Sequence, residues 1–154
     1  MTLFFSAGCQ MKKAPNSELA GRVELLAPLQ VEEFKVEILL ELENISPSKA
    51  VELSYMYAPS ENLMLYVTDS SGRQICKFRY RSLISTYIER KSLILAPGEK
   101  YKETVSIYSC LEEARDRISR AQICTVEAFY THGTEEIQLD GFQVRLTPRT
   151  VNDP

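Results

Sequence analysis

Between Glu33 and Glu43 the chain alternates almost without exception. Phe34, Val36, Ile38, Leu40 and Leu42 fall on one side, with Glu33, Lys35, Glu37, Glu41 and Glu43 on the other, and only Leu39 interrupts. A period of two over this length predicts a long strand with one buried face. Asn44-Ile45-Ser46-Pro47-Ser48 then supplies turn residues that end it.

The same rhythm returns in shorter segments. Gly21 to Leu26 precedes the long strand, and Val51 to Tyr57 follows it up to Pro59. Leu63 to Thr68 runs into Asp69-Ser70-Ser71-Gly72, a hairpin turn. Gln74 to Ser82 returns with Cys76, Phe78 and Tyr80 on one face and Lys77, Arg79 and Arg81 on the other. Leu93 to Leu95 meets Ala96-Pro97-Gly98-Glu99, where Pro-Gly predicts a type II turn. Lys102 to Tyr108, with Val105 and Ile107 inward, Cys124 to Tyr130 and Ile137 to Leu146 complete the set. Many short strands at this spacing predict a sandwich or barrel.

One segment changes period. Leu111, Ala114, Ile118 and Ala121 recur at helical spacing, and Ser109 with Glu112 has the form of a capping box. Glu112 and Glu113 near the start and Arg117 and Arg120 near the end suit the helix dipole. Glu113–Arg117 and Asp116–Arg120 stand at i,i+4. The expectation is one short helix, about 110–121, between two late strands of an all-β, antiparallel sandwich.

The order of motifs adds a resemblance. A long alternating strand, Asn44-x-Ser46, Val67-Thr68-Asp69-Ser70-Ser71-Gly72-Arg73 and Leu95-Ala96-Pro97-Gly98-Glu99 follow one another. This layout resembles bacterial immunoglobulin-like domains. More narrowly, it is similar to the small intracellular proteinase inhibitor family over roughly Val31 to Tyr108. These motifs are turns, so the resemblance implies an immunoglobulin-like sandwich and transfers no inhibitor contact residue. In such a sheet the long strand pairs antiparallel with the strand after the Pro-Gly turn. Glu41 and Glu43 are then expected beside Lys100 and Lys102 on the solvent face, each pair worth about 0.2–1 kcal/mol.

The N-terminus bears on compartment. Leu3-Phe4-Phe5-Ser6-Ala7-Gly8-Cys9-Gln10 resembles the cleavage site of a bacterial lipoprotein signal. Cys9 would be the acylated first residue and Gln10, which is not Asp, an outward-sorting one. The basic n-region and full apolar core of such a signal are missing, and Ser6 replaces the usual Leu. One explanation is a start codon placed too late; the other is a cytosolic protein with a chance Ala-Gly-Cys. Residues 1–8 read as a signal remnant and 9–19 as the anchor site with a polar tether. Residues 20–148 read as the sandwich and 149–154 as a tail. The expected location is the cell envelope, at the outer membrane facing the periplasm, with the cytoplasm as the alternative. The expected partners are the membrane, through the acyl group, and a protein of the envelope.

Composition narrows the chemistry further. The 154 residues suffice for one domain, and a net charge of −3 gives no global footprint for nucleic acid. Beside Cys9 stand Cys76, Cys110 and Cys124, with no CxxC spacing. Cys110 and Cys124 flank the expected helix. A disulfide between them would close a loop of about 15 residues, worth about 3 kcal/mol on chain-entropy grounds. Cys110 alone, at a helix start, would have thiolate character, whereas Cys76 reads as a buried strand residue. His132, the single histidine, lies in Tyr130-Thr131-His132-Gly133-Thr134, which reads as a hairpin turn. No catalytic, cofactor or metal-binding motif is read, so the expectation is a non-enzyme, with soluble proteinase inhibition as the alternative function. Glu33, Glu37, Glu41 and Glu43 read as a solvated face. Lys77, Arg79 and Arg81, with Arg73 and Arg90 nearby, form a candidate basic binding face for an acidic partner or lipid headgroups.

Overall fold

The computed structural model describes residues 17–26, 36–79 and 89–150. Nine strands and one helix build it: β1 (Leu19–Leu25), β2 (Glu37–Asn44), β3 (Val51–Tyr55), β4 (Leu63–Thr68), β5 (Gln74–Arg79), β6 (Lys91–Leu95), β7 (Lys100–Ser106), α1 (Tyr108–Asp116), β8 (Gln122–His132) and β9 (Glu135–Leu146). Each expected strand is found among the described residues, and residues 33–35 and 80–82 of two of them lie outside those residues. The strand expected from Gly21 begins at Leu19, which is fully buried, so the folded domain takes in the last residues of the expected tether.

Seven strands form one curled sheet in the order β5-β4-β8-β9-β1-β2-β7, and β3 pairs with β6 separately. The result is an all-β sandwich with one short α-helix. β2 and β7 lie to one side of β1, and β9, β8, β4 and β5 to the other. All pairings are antiparallel except that of β1 with β9, which is parallel.

The alternation explains the core. Ile38, Leu40 and Leu42 of β2 are fully buried, and each such side chain contributes about 1.5–3 kcal/mol on leaving water. They share the core with Val23 of β1, Leu63, Leu65 and Val67 of β4, and Cys124, Val126, Ala128 and Tyr130 of β8. In the turn before β7, Glu99 N–H donates to Ala96 C=O at 2.9 Å and Gly98 has φ 77°. This is the type II turn predicted, and its third position needs a residue tolerant of positive φ. Gly141 answers a different demand. It faces the irregularity between Val126 and Ala128, and a Cβ there would run into the Val126 carbonyl.

The charged face of β2 behaves differently from expectation in one respect. β2 and β7 are neighbours, with Glu41 opposite Lys102 and Glu43 opposite Lys100, as the sandwich layout requires. Glu41, however, is not solvated, being 1% exposed. Lys102 at 3.1 Å, Lys100 at 3.2 Å and Arg22 at 3.5 Å cover its carboxylate. Burial raises its pKa, but hydrogen bonds from Lys102 and Lys100 and the charge of Arg22 outweigh that, leaving it below 4.5. Register lines up Asp140, Arg22, Glu41 and Lys102 on four successive strands, in alternating sign.

The helix is shorter than expected and starts earlier. It spans Tyr108–Asp116 after Ile107, with no side-chain cap, so Ser109 lies inside it and the capping box does not form. Ile107 and Leu111 both fill the core, and their burial sets the helix start in place of the cap. Ile118 is buried beyond the helix end and Ala121 is exposed. Glu113 and Arg117 pair at 2.6 Å, as expected, whereas Asp116 is met by Arg149 at 3.8 Å.

Candidate functional site

The basic stripe lies on β5, at the end of the seven-stranded sheet. Lys77 and Arg79 are exposed on its outer face, across from Tyr66 and Met64 of β4. The Lys77 ammonium sits 5.3 Å from the centre of the Tyr66 ring, and that ring meets Phe129 of β8 edge-on at 5.6 Å. The outer face is therefore aromatic underneath and cationic at its rim, a combination that favours anions and planar groups. A lysine on an edge strand also discourages edge-to-edge pairing. Arg81 lies outside the described residues. Arg90 does not join the stripe; its guanidinium donates to the Ser54 hydroxyl of β3 at 3.4 Å.

The stripe ends at a polar cleft of about 400 Å³ that sequence reasoning missed. The β4–β5 turn forms one wall and the segment between α1 and β8 the other. Arg73, Arg117 and Arg120 line it together with Ser70, Ser71 and Gln122. The turn is held by Asp69, whose Oδ1 accepts the Ser71 hydroxyl at 2.6 Å and the N–H groups of Ser71 and Arg73 at 2.9 and 3.0 Å. The Ser71 hydroxyl bond leads the causes that bring its pKa down to about 2. Across the cleft, Ser70 N–H and hydroxyl both donate to Gln122 Oε1, at 2.9 and 2.7 Å, and Arg73 donates to the Arg117 carbonyl at 3.2 Å. Asp69 pairs with Arg73 at 3.2 Å and Glu113 with Arg117 at 2.6 Å, so the three guanidinium groups leave the cleft a small positive balance, suited to carboxylate, sulfate or phosphate. The sequence alone places Arg73 beside the basic stripe and Arg117 at a helix end, without bringing the two together.

A second polar cluster is built differently. Glu103 of β7 accepts the Ser60 hydroxyl at 2.7 Å, Ser60 N–H at 3.0 Å and the Tyr101 hydroxyl at 3.0 Å. Burial, with the charge of Glu103, pushes Tyr101 well above the ordinary range. The carboxylate is saturated by donors and ties the turn at Pro59–Asn62 to β7. His132 is far from a free turn residue: it ends β8, and its Nε2 lies 2.9 Å from the Glu52 carbonyl of β3.

The cysteines do not pair as expected. No disulfide joins Cys110 to Cys124, and both are buried. Cys124 points into the core from β8, opposite Val144, while Cys110 faces Cys76 of β5, with the sulfurs 2.7 Å apart. The helix start does not activate Cys110, because hydrogen bonding to Cys76, then burial, pushes its thiol pKa up. Cys9 lies outside the described residues. Among the described residues, no group of three His, Cys, Asp or Glu side chains is placed to hold a metal ion, and no helix is long and apolar enough to cross a membrane.

No family model matches the sequence, and no curated protein does. Among solved structures, the chain is similar to Bacteroides uniformis β-glucuronidase 2, covalently bound to cyclophellitol-6-carboxylate aziridine, at 13% identity and a TM-score of 0.37. It is also similar to a Bacteroides uniformis β-glucuronidase at 12% identity and a TM-score of 0.35. In both cases 86% of this chain is covered, and it spans 13% of the length of the other protein. At these scores neither likeness informs function.

Proposed function

We propose that this chain is a bacterial envelope lipoprotein, acylated at Cys9, whose immunoglobulin-like domain is a non-catalytic binding or assembly module for an acidic partner. The observation that carries the binding half is the collection of Lys77, Arg79, Arg73, Arg117 and Arg120 along β5 and the cleft at its end, in a chain of net charge −3. An acidic protein that concentrates cations on one edge presents a directional surface to a partner of opposite sign. The anchor half is supported by the apolar run and Ala7-Gly8-Cys9, followed by polar residues up to the start of β1.

Two measurements test the halves separately. Native protein from its host is partitioned into detergent and weighed intact, beside a Cys9→Ala variant. The expected product starts at Cys9 and carries added acyl mass, which the variant lacks. An unmodified, aqueous chain retaining its first residues would overturn the anchor and make the intracellular proteinase inhibitor the leading reading. For the surface, anisotropy with labelled poly-glutamate should show salt-sensitive binding that a Lys77→Glu/Arg79→Glu double variant loses. Equal binding by both proteins would refute the assignment of the face.

A further inference from the structure

We infer that Cys76 and Cys110 form a disulfide that ties α1 to the edge strand β5, a cross-link independent of the cleft and of the anchor. Their sulfurs stand 2.7 Å apart, both residues are buried, and each comes from a different element. A disulfide bond is about 2.05 Å long, so closure needs only a small approach of side chains already facing each other. Cys124 has no such neighbour among the sulfurs of the described residues. The cysteine inventory then resolves into an acylated Cys9, one internal pair and one buried thiol. This accounts for the odd number left after acylation.

The chemistry is thiol–disulfide exchange with a disulfide oxidant, such as oxidised glutathione or an envelope dithiol oxidase. One cysteine thiolate attacks the oxidant's S–S bond, forming a mixed disulfide and releasing one oxidant thiol. The second cysteine then attacks the protein sulfur of that mixed disulfide and releases the other oxidant thiol. One S–S bond is broken and one formed. Two cysteine thiols are oxidised, two oxidant thiols are produced, and they take up the two protons. In the reduced fold the Cys76 thiol faces the Glu113 carboxylate, 3.6 Å away. In the finished fold both sulfurs are withdrawn from solvent, so the bond forms during folding and afterwards resists small reductants.

The test uses the full chain with Cys9→Ser, unfolded and reduced, then refolded with oxidised glutathione. Denaturing alkylation and peptide mass mapping should show two of the three remaining thiols lost and a linked peptide joining Cys76 to Cys110. Cys124→Ser should leave that link unchanged, and Cys76→Ser or Cys110→Ser should abolish it. Three alkylated thiols, or a Cys110–Cys124 link, in a protein with native circular dichroism would overturn the inference. The mapping is done on the parent sequence, so it does not depend on whether the serine variants fold. A pair that forms in vitro but is isolated reduced from the host would support the pairing and count against the envelope compartment instead.

Discussion

Asn44 holds three segments together, and its removal is the sharpest available test of how the domain is stabilised. It is fully buried. Its Nδ2 donates to the Lys49 carbonyl at 2.8 Å and to the Leu95 carbonyl at 2.9 Å, and its Oδ1 accepts Ser46 N–H at 2.9 Å. Its backbone completes the junction, donating to Glu99 and accepting from Gly98. Asn44→Ala removes the three side-chain bonds, each worth about 1 kcal/mol net, and leaves the Leu95 carbonyl dry at a further cost of about 1–3 kcal/mol. Water reaches the Lys49 and Ser46 positions more easily and returns part of the loss. The expected total is about 3 kcal/mol, which for a domain of this size lowers Tm by roughly 10 °C. Asn44→Asp is expected to be worse at neutral pH, because it keeps the acceptor for Ser46 but turns a carboxylate oxygen toward two carbonyls. Because the fold disfavours this carboxylate, its folded pKa is raised, so the deficit should shrink as pH falls through that raised value and level off below the unfolded value of about 3.9. Urea and thermal melts followed by far-UV circular dichroism measure both variants. A loss under about 1 kcal/mol for Asn44→Ala, or an Asn44→Asp protein as stable as the parent at neutral pH, would refute the reasoning.

Glu41→Gln should cost about 1–2 kcal/mol, less than a fully buried ion pair because its cationic partners reach solvent. A double-mutant cycle with Lys102→Met should show coupling, and zero coupling would remove the charge ladder as a source of stability. Because the folded Glu41 pKa lies below 4.5, its contribution is complete above that unfolded value and fades as pH falls through the folded one. The Gln variant should accordingly show a flatter stability profile in acid. Asp69 should titrate at about 2 by NMR, and its stabilisation of the turn should be complete above the ordinary value of 3.8 and lost as pH falls through about 2; an ordinary pKa would contradict the donors around it. Gly141→Ala forces a methyl into the Val126 carbonyl and should lose about 1–3 kcal/mol in a thermal melt.

The strands were legible from local signals: alternation broken only at Leu39 in β2, Pro-Gly before β7, Asp-x-x-Gly before β5. What the sequence left open depends on partners distant along the chain. Alternation put Glu41 on the outer face correctly, but only the pairing of β2 with both β1 and β7 brings Arg22, Lys100 and Lys102 over it. Ser109 and Glu112 have the spacing of a cap, yet the burial of Ile107 decides where α1 begins. Cys110 lies closer in sequence to Cys124 than to Cys76, and no local pattern reveals that the first turn of α1 leans on β5. The cleft has the same origin, since Arg73 and Arg117 meet only after β5 and α1 dock.

The parallel contact between β1 and β9, with Arg22 beside Asp140, sets the timetable of folding. Among the described strands β1 is synthesised first and β9 last, and β1 sits between β2 and β9. β1 can join β2 early, but its second edge stays open until Glu135–Leu146 has been synthesised. Such long-range closure is slow and comes late. A nascent chain arrested before Glu135 should therefore be digested by protease along β1, while a chain released after Leu146 should be protected there. The domain thus remains incompletely folded, and pliable, until nearly its whole length is available.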